Sequence, residues 1–137
     1  MTFSPLISAA TRVATALLLG LTVGAGAALA QRAPAVDLDA MRTALKDKSA
    51  VVFDIREPNE HATGVADGTR LLPMSQIVQR LAEIPKDQPV LLVCNTQNRS
   101  SKVAEALKQR GYSQVQYVNG GMSGWAQRGL PMVKPAR

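Results

Sequence analysis

The sequence predicts a small open α/β domain whose strands run parallel and are joined by crossover helices. Two observations carry that expectation. Short apolar runs such as Val51-Val52-Phe53 and Val90-Leu91-Leu92-Val93 lack the polar alternation of a half-exposed strand, so each is expected to be covered on both faces. Between them lie stretches whose apolar residues recur at three- and four-residue intervals, the period of a helix with one buried face. Alternating strand and helix suits a parallel sheet, because parallel neighbours need a long connection.

The first 30 residues read as an address. Arg12 is their only charged side chain, Val13–Val23 is an uncharged apolar run, and Ala28-Leu29-Ala30 supplies the small-x-small pattern of a signal-peptidase site. The expectation is an export signal, residues 1–30, cleaved after Ala30. Residues 31–137 then form one domain in the periplasm or outside the cell, with no stable membrane association. The alternative is an uncleaved anchor, since Val13–Ala30 holds no charge, but its second half is mostly Ala and Gly, which contribute little transfer energy.

In the remaining chain, Asp37 is placed to cap a helix with apolar positions Leu38, Met41, Ala44 and Leu45. Val51–Phe53 is a strand ended by Asp54, and a loop with Pro58, Gly64 and Gly68 leads to a brief Leu71-Leu72 and Pro73. Ser75 is expected to cap a second helix with Ile77, Val78 and Leu81 on one face. A turn from Pro85 to Pro89 precedes the strand Val90–Val93, and Cys94 follows directly. Ser100 and Ser101 are expected to cap a helix that buries Val103, Ala106 and Leu107 and stops at Gly111. Val115–Val118 is another strand, Gly120-Gly121 a turn, and residues 122–128 a short helix ending at Gly129.

Composition narrows the chemistry. At 46% hydrophobic and 19% charged residues, disorder is excluded as the main state. One Cys and one His exclude an intrachain disulfide and a Cys/His zinc site. Neither a phosphate-type glycine loop nor a carboxylate cluster occurs, so no cofactor or metal is implied. The formal charge of +6 is interspersed, as in Lys46-Asp47-Lys48, and aromatics are only 4%, so a nucleic-acid partner is not expected. The charge supports a mild attraction for small anions.

Ligands of parallel sheets bind beyond the carboxyl ends of the strands. Here those ends read Asp54-Ile55-Arg56, Cys94-Asn95-Thr96 and Asn119-Gly120-Gly121. Cys94, the only thiol, stands between a buried strand and the start of a helix. Backbone N–H groups of a tight loop and the positive end of a helix stabilise an anion, and the same features favour a nucleophilic thiolate. The bland alternative is an inert, buried cysteine.

Four stretches together resemble the single-domain rhodanese, or thiosulfate sulfurtransferase-like, family over about residues 51–131. They are Val51 to Glu60 with Asp54, Arg56, Glu57 and Pro58; Gly64 with Pro73-Met74-Ser75; Val90 to Ser100 with Cys94 and Arg99; and Gly120-Gly121 with Gly124-Trp125. The resemblance implies a three-layer α/β/α domain with a small, mostly parallel central sheet. It implies that Cys94 is the nucleophile and persulfide carrier, taking a sulfane sulfur from a small sulfur-containing anion or persulfide and passing it to a thiol or other thiophilic acceptor, which a protein could supply. The backbone amides of Asn95, Thr96, Gln97, Asn98 and Ser100 would cradle the persulfide. Arg99 would shape the loop and attract an anionic donor, with Arg56 as a further substrate-binding residue. Four residues separate Cys94 from Arg99, whereas tyrosine-type phosphatases use five, so the cradle suits a sulfur atom better than a phosphate.

The sequence departs from the family pattern where Asn95 replaces a common basic residue, where Val65-Ala66-Asp67 replaces His-Ile-Pro, and where Gln97 replaces a common Gly. Gln at a position requiring positive φ would strain the cradle. Pairing of Asp54 or Arg56 with Glu57 or Glu60, a surface role for His61, packing roles for Trp125, and gap-filling by Met74, Met122 and Met132 are the bland expectations for the rest. A binding or regulatory module on the same scaffold and a redox-responsive thiol are the alternative functions.

Overall fold

The computed structural model describes residues 32–136; the segment read as an export signal lies outside them. Five strands are present: β1 Ala35–Val36, β2 Val51–Asp54, β3 Arg70–Leu71, β4 Val90–Val93 and β5 Val115–Val118. All pair in parallel, in the order β1-β5-β4-β2-β3. The helices are α1 Leu38–Asp47, α2 Pro58–His61, α3 Asn98–Gln109 and α4 Gly121–Gln127.

The strand period of two divides the core into two layers. From β4, Val90 and Leu92, with Cys94 after them, join Phe53 and Ile55 against Ala104 and Leu107 of α3. Leu91 and Val93 face the other way, joining Val52 and Val118 against Leu38, Met41 and Ala44 of α1 and Met122 and Trp125 of α4. This is the expected three-layer α/β/α arrangement. It also places Cys94 on the α3 side, because the sulfur continues the alternation of the strand.

Asp37 caps α1 as expected, accepting from the Ala40 N–H at 2.8 Å. Several elements differ from expectation. The two-residue β1 had no pattern long enough to register, and it exists because Tyr117 and Asn119 donate to the carbonyls of Pro34 and Val36. The Pro58 loop contains the single turn α2, with Pro58 at its start, where the missing N–H costs nothing.

No α-helix follows Ser75. The segment instead makes two 3₁₀ turns, Met74–Gln76 and Leu81–Glu83, and Val78 is 74% exposed rather than on a buried face. Ser75 does not cap this segment: its N–H and hydroxyl both donate to the Glu57 carboxylate, at 3.0 and 2.8 Å. In α3 the helix starts at Asn98, before Ser100, and the buried alanine is Ala104 while Ala106 is exposed. Among the methionines expected to fill gaps, Met122 does so, whereas Met74 and Met132 are exposed. Trp125 packs in the core and donates its indole N–H to the Pro131 carbonyl at 2.9 Å.

Candidate active site

The carboxyl ends of β2, β4 and β5 lie side by side and bring Asp54, Cys94 and Asn119 to one edge of the sheet. Cys94 is buried, with 1% of its surface exposed. Its Sγ lies 3.4 Å from the hydroxyl of Ser100, itself fully buried in the first turn of α3. A serine expected as a cap is therefore a direct neighbour of the sulfur.

The loop from Cys94 to Gln97 is held from outside by α4. Met122 N–H donates to the Cys94 carbonyl and Ser123 N–H to the Asn95 carbonyl, each at 2.8 Å. In a trans peptide the carbonyl and the next N–H point in opposite directions. Fixing those two carbonyls toward α4 therefore turns the N–H groups of Asn95 and Thr96 away from it. Among the described residues, the N–H groups of Asn95, Thr96, Gln97, Arg99 and Ser100 have no hydrogen-bond acceptor, while that of Asn98 reaches Thr96 Oγ1 at 3.5 Å. Unpaired amides beside a helix N-terminus are suited to hold an anion.

Gln97 adopts φ −153°, so the strain expected of it does not arise. The only positive-φ residue among the described non-glycines is Lys48. Gln97 also ties the loop to its neighbour, since its Oε1 accepts from the Gly120 N–H at 3.3 Å. That contact joins residues distant in sequence, and nothing in the sequence announces it.

Arg56 is not open to a substrate. It is 3% exposed, and its guanidinium donates to the buried Asp54 carboxylate from Nε at 3.0 Å and from Nη2 at 2.6 Å. Further donations reach the carbonyls of Gly64 at 2.8 Å and Glu60 at 3.4 Å. Asp54 and Arg56 thus pair with each other rather than with Glu57 or Glu60, and together they pin α2 and the loop after it to the sheet edge. His61 is buried at 4% exposure, not at the surface, with Nε2 3.2 Å from the Asp54 carbonyl oxygen.

Arg99 meets Glu60. Its two terminal nitrogens each donate to one oxygen of the Glu60 carboxylate at 2.7 Å. This hydrogen-bonded ion pair holds the Glu60 carboxyl down to about 2 and raises the Arg99 guanidinium further above its ordinary value. The second Glu60 oxygen also accepts from the Glu57 N–H at 2.9 Å. Glu60, expected as a partner of Asp54 or Arg56, thus pairs its carboxylate with Arg99 instead and ties the first turn of α3 to α2.

No group of His, Cys, Asp and Glu able to hold a metal ion occurs among the described residues. The rhodanese-like domain pattern matches residues 37–128. A sulfurtransferase of Allochromatium vinosum is 39% identical over 101 residues, covering 73% of this chain and 94% of that protein. The thiosulfate sulfurtransferase GlpE of Vibrio cholerae is 30% identical over 97 residues, covering 71% and 92%. The crystal structure of a rhodanese-like domain protein from Staphylococcus aureus superposes with a TM-score of 0.66 at 28% identity, covering 75% of this chain and 99% of that one. A parallel α/β/α sheet with a cysteine loop at its carboxyl edge, matched in sequence over most of its length, makes this chain a member of the rhodanese-like domain family, several of whose relatives are named sulfurtransferases.

Proposed function

We propose that the protein transfers sulfane sulfur in two half-reactions through a persulfide on Cys94. In the first, the Cys94 thiolate attacks the terminal sulfur of a donor. A sulfur–sulfur bond forms to Sγ as the donor's own sulfur–sulfur bond breaks, and the leaving group departs with the electron pair, as sulfite from thiosulfate or a thiolate from an organic persulfide. In the second, a thiophilic acceptor attacks the outer sulfur and regenerates the thiolate. No metal, general base or cofactor is required by this sequence of steps.

The observation that carries this reading is the juxtaposition of Cys94 Sγ with the Ser100 hydroxyl, at 3.4 Å, beside a loop in which the N–H groups of Asn95, Thr96, Gln97, Arg99 and Ser100 lack acceptors. The hydroxyl accepts from the Cys94 thiol and donates to the Gln97 carbonyl at 3.3 Å; once the thiol is ionised it can turn to donate to the sulfur, and the amides can stabilise a terminal persulfide anion. We further propose that residues 1–30 export the protein and are removed after Ala30, so that it acts in the periplasm or outside the cell.

Mass spectrometry of the intact protein after exposure to thiosulfate or inorganic polysulfide tests the transfer. The expected result is a gain of one sulfur atom, lost on addition of cyanide or a thiol and missing in Cys94→Ala. A protein that gains nothing, or a gain that persists in the variant, overturns the proposal. The mass of the protein recovered from an exporting host tests cleavage after Ala30.

A further inference from the structure

The charges around the cysteine loop bear on which donors it accepts, an inference that rests on the persulfide reading above. The loop amides can hold one negative charge, but a dianionic donor is drawn in further only by a cation that is free to meet it. The loop residues Asn95, Thr96, Gln97 and Asn98 are uncharged, and Arg99 is the only cation between Cys94 and Ser100. Arg99 is already engaged at both terminal nitrogens by Glu60, and Arg56 by the buried Asp54. Glu57 adds a third carboxylate, held by Ser75. Three carboxylates thus surround two guanidiniums that are both occupied.

We propose that Glu60 determines the donor class: by neutralising Arg99 it disfavours dianionic donors such as thiosulfate and leaves the site to organic persulfides of low net charge. A dianion approaching Arg99 meets the Glu60 carboxylate at the same distance range, so the attraction of one is offset by the repulsion of the other. A persulfide whose organic part balances its charge encounters neither effect. Transfer from it needs only the sulfur–sulfur bond exchange already described, with the organic thiolate as leaving group. Glu60 acts here through Arg99 and is a specificity-determining residue rather than a catalytic one.

The test compares rates of Cys94 persulfide formation, read by intact mass, from thiosulfate and from cysteamine persulfide, whose ammonium group offsets its sulfur charge. Glu60→Gln keeps an acceptor for Arg99 and for the Glu57 N–H but removes the negative charge. Asn95→Lys, at an exposed position, adds a cation without touching the Arg99 pair. Each variant is expected to raise the thiosulfate rate relative to the cysteamine persulfide rate by about tenfold, the effect of roughly one newly uncompensated charge near the site. A ratio unchanged in Glu60→Gln, or thiosulfate loading the wild-type protein faster than cysteamine persulfide does, overturns the donor inference while leaving the transfer reading intact. Should Glu60→Gln fail to fold, the wild-type protein decides, since faster loading from thiosulfate than from cysteamine persulfide is incompatible with a neutralised Arg99. If neither donor loads Cys94 in the wild-type protein or either variant, the transfer reading itself falls, and this inference with it.

Discussion

Gly121 and Thr96 are packed backbone to backbone, with no room for a side chain between them. A Cβ on Gly121 would overlap the Thr96 carbonyl oxygen and stand 2.5 Å from the carbonyl oxygen of Cys94. Gly121 also has φ +57°, in the left-handed region that other residues occupy at a cost. The close approach is what lets Met122 and Ser123 reach the Cys94 and Asn95 carbonyls.

Gly121→Ala is therefore expected to push the cysteine loop away from α4 and lose both hydrogen bonds. The cost should be at least about 2 kcal/mol, from backbone strain and overpacking together. Chemical denaturation measures the stability and intact mass the sulfur loading, and both should fall. An unchanged loading rate in a destabilised protein would show that α4 supports the fold without aiming the loop.

Gln97→Gly separates two views of the loop. Relief of strain would stabilise the protein, but Gln97 at φ −153° has none to relieve. The substitution instead removes the acceptor of the Gly120 N–H and adds backbone freedom to the unfolded chain. Stability is expected to drop by about 1 kcal/mol, read as a lower denaturation midpoint.

Ser100→Ala removes the hydroxyl 3.4 Å from Cys94 Sγ. A hydrogen bond to a charged group contributes about 1.5–3 kcal/mol, so losing this neighbour of the attacking sulfur should slow sulfur loading by about tenfold or more. The rate of Cys94 alkylation by iodoacetamide at fixed pH is the independent readout. That rate should fall in the variant, and an unchanged rate would remove Ser100 from the chemistry.

The Arg99–Glu60 pair predicts an acid limb in stability. The Glu60 carboxyl is lowered from 4.5 to about 2 by the hydrogen bonds from Arg99. A depressed folded value means the ion pair stabilises fully above about pH 4.5 and loses its contribution as pH falls toward about 2. Because about a third of the Arg99 side chain is exposed, screening reduces this contribution to about 1 kcal/mol. Urea titrations at several pH values should show the decline over that window in the wild type and a smaller one in Glu60→Gln.

The sequence by itself determined the alternation of strands and helices, the Asp37 cap, and the placement of Cys94 between β4 and α3. Each depends on residues within a few positions of one another: apolar runs, three-and-four spacing, and a side chain reaching its own backbone. Only the tertiary structure decided who meets whom at the site. Arg99 and Glu60 are 39 residues apart, Gln97 and Gly120 are 23, and both pairs form because the parallel sheet sets the ends of β2, β4 and β5 side by side. For the same reason Arg56, read as a substrate contact, proved to be a buried strut on Asp54, and the helix expected after Ser75 gave way to 3₁₀ turns drawn toward Glu57. Local periodicity is a property of neighbours along the chain, whereas charge pairing and backbone contact across loops follow from strand register, which no short stretch of residues encodes.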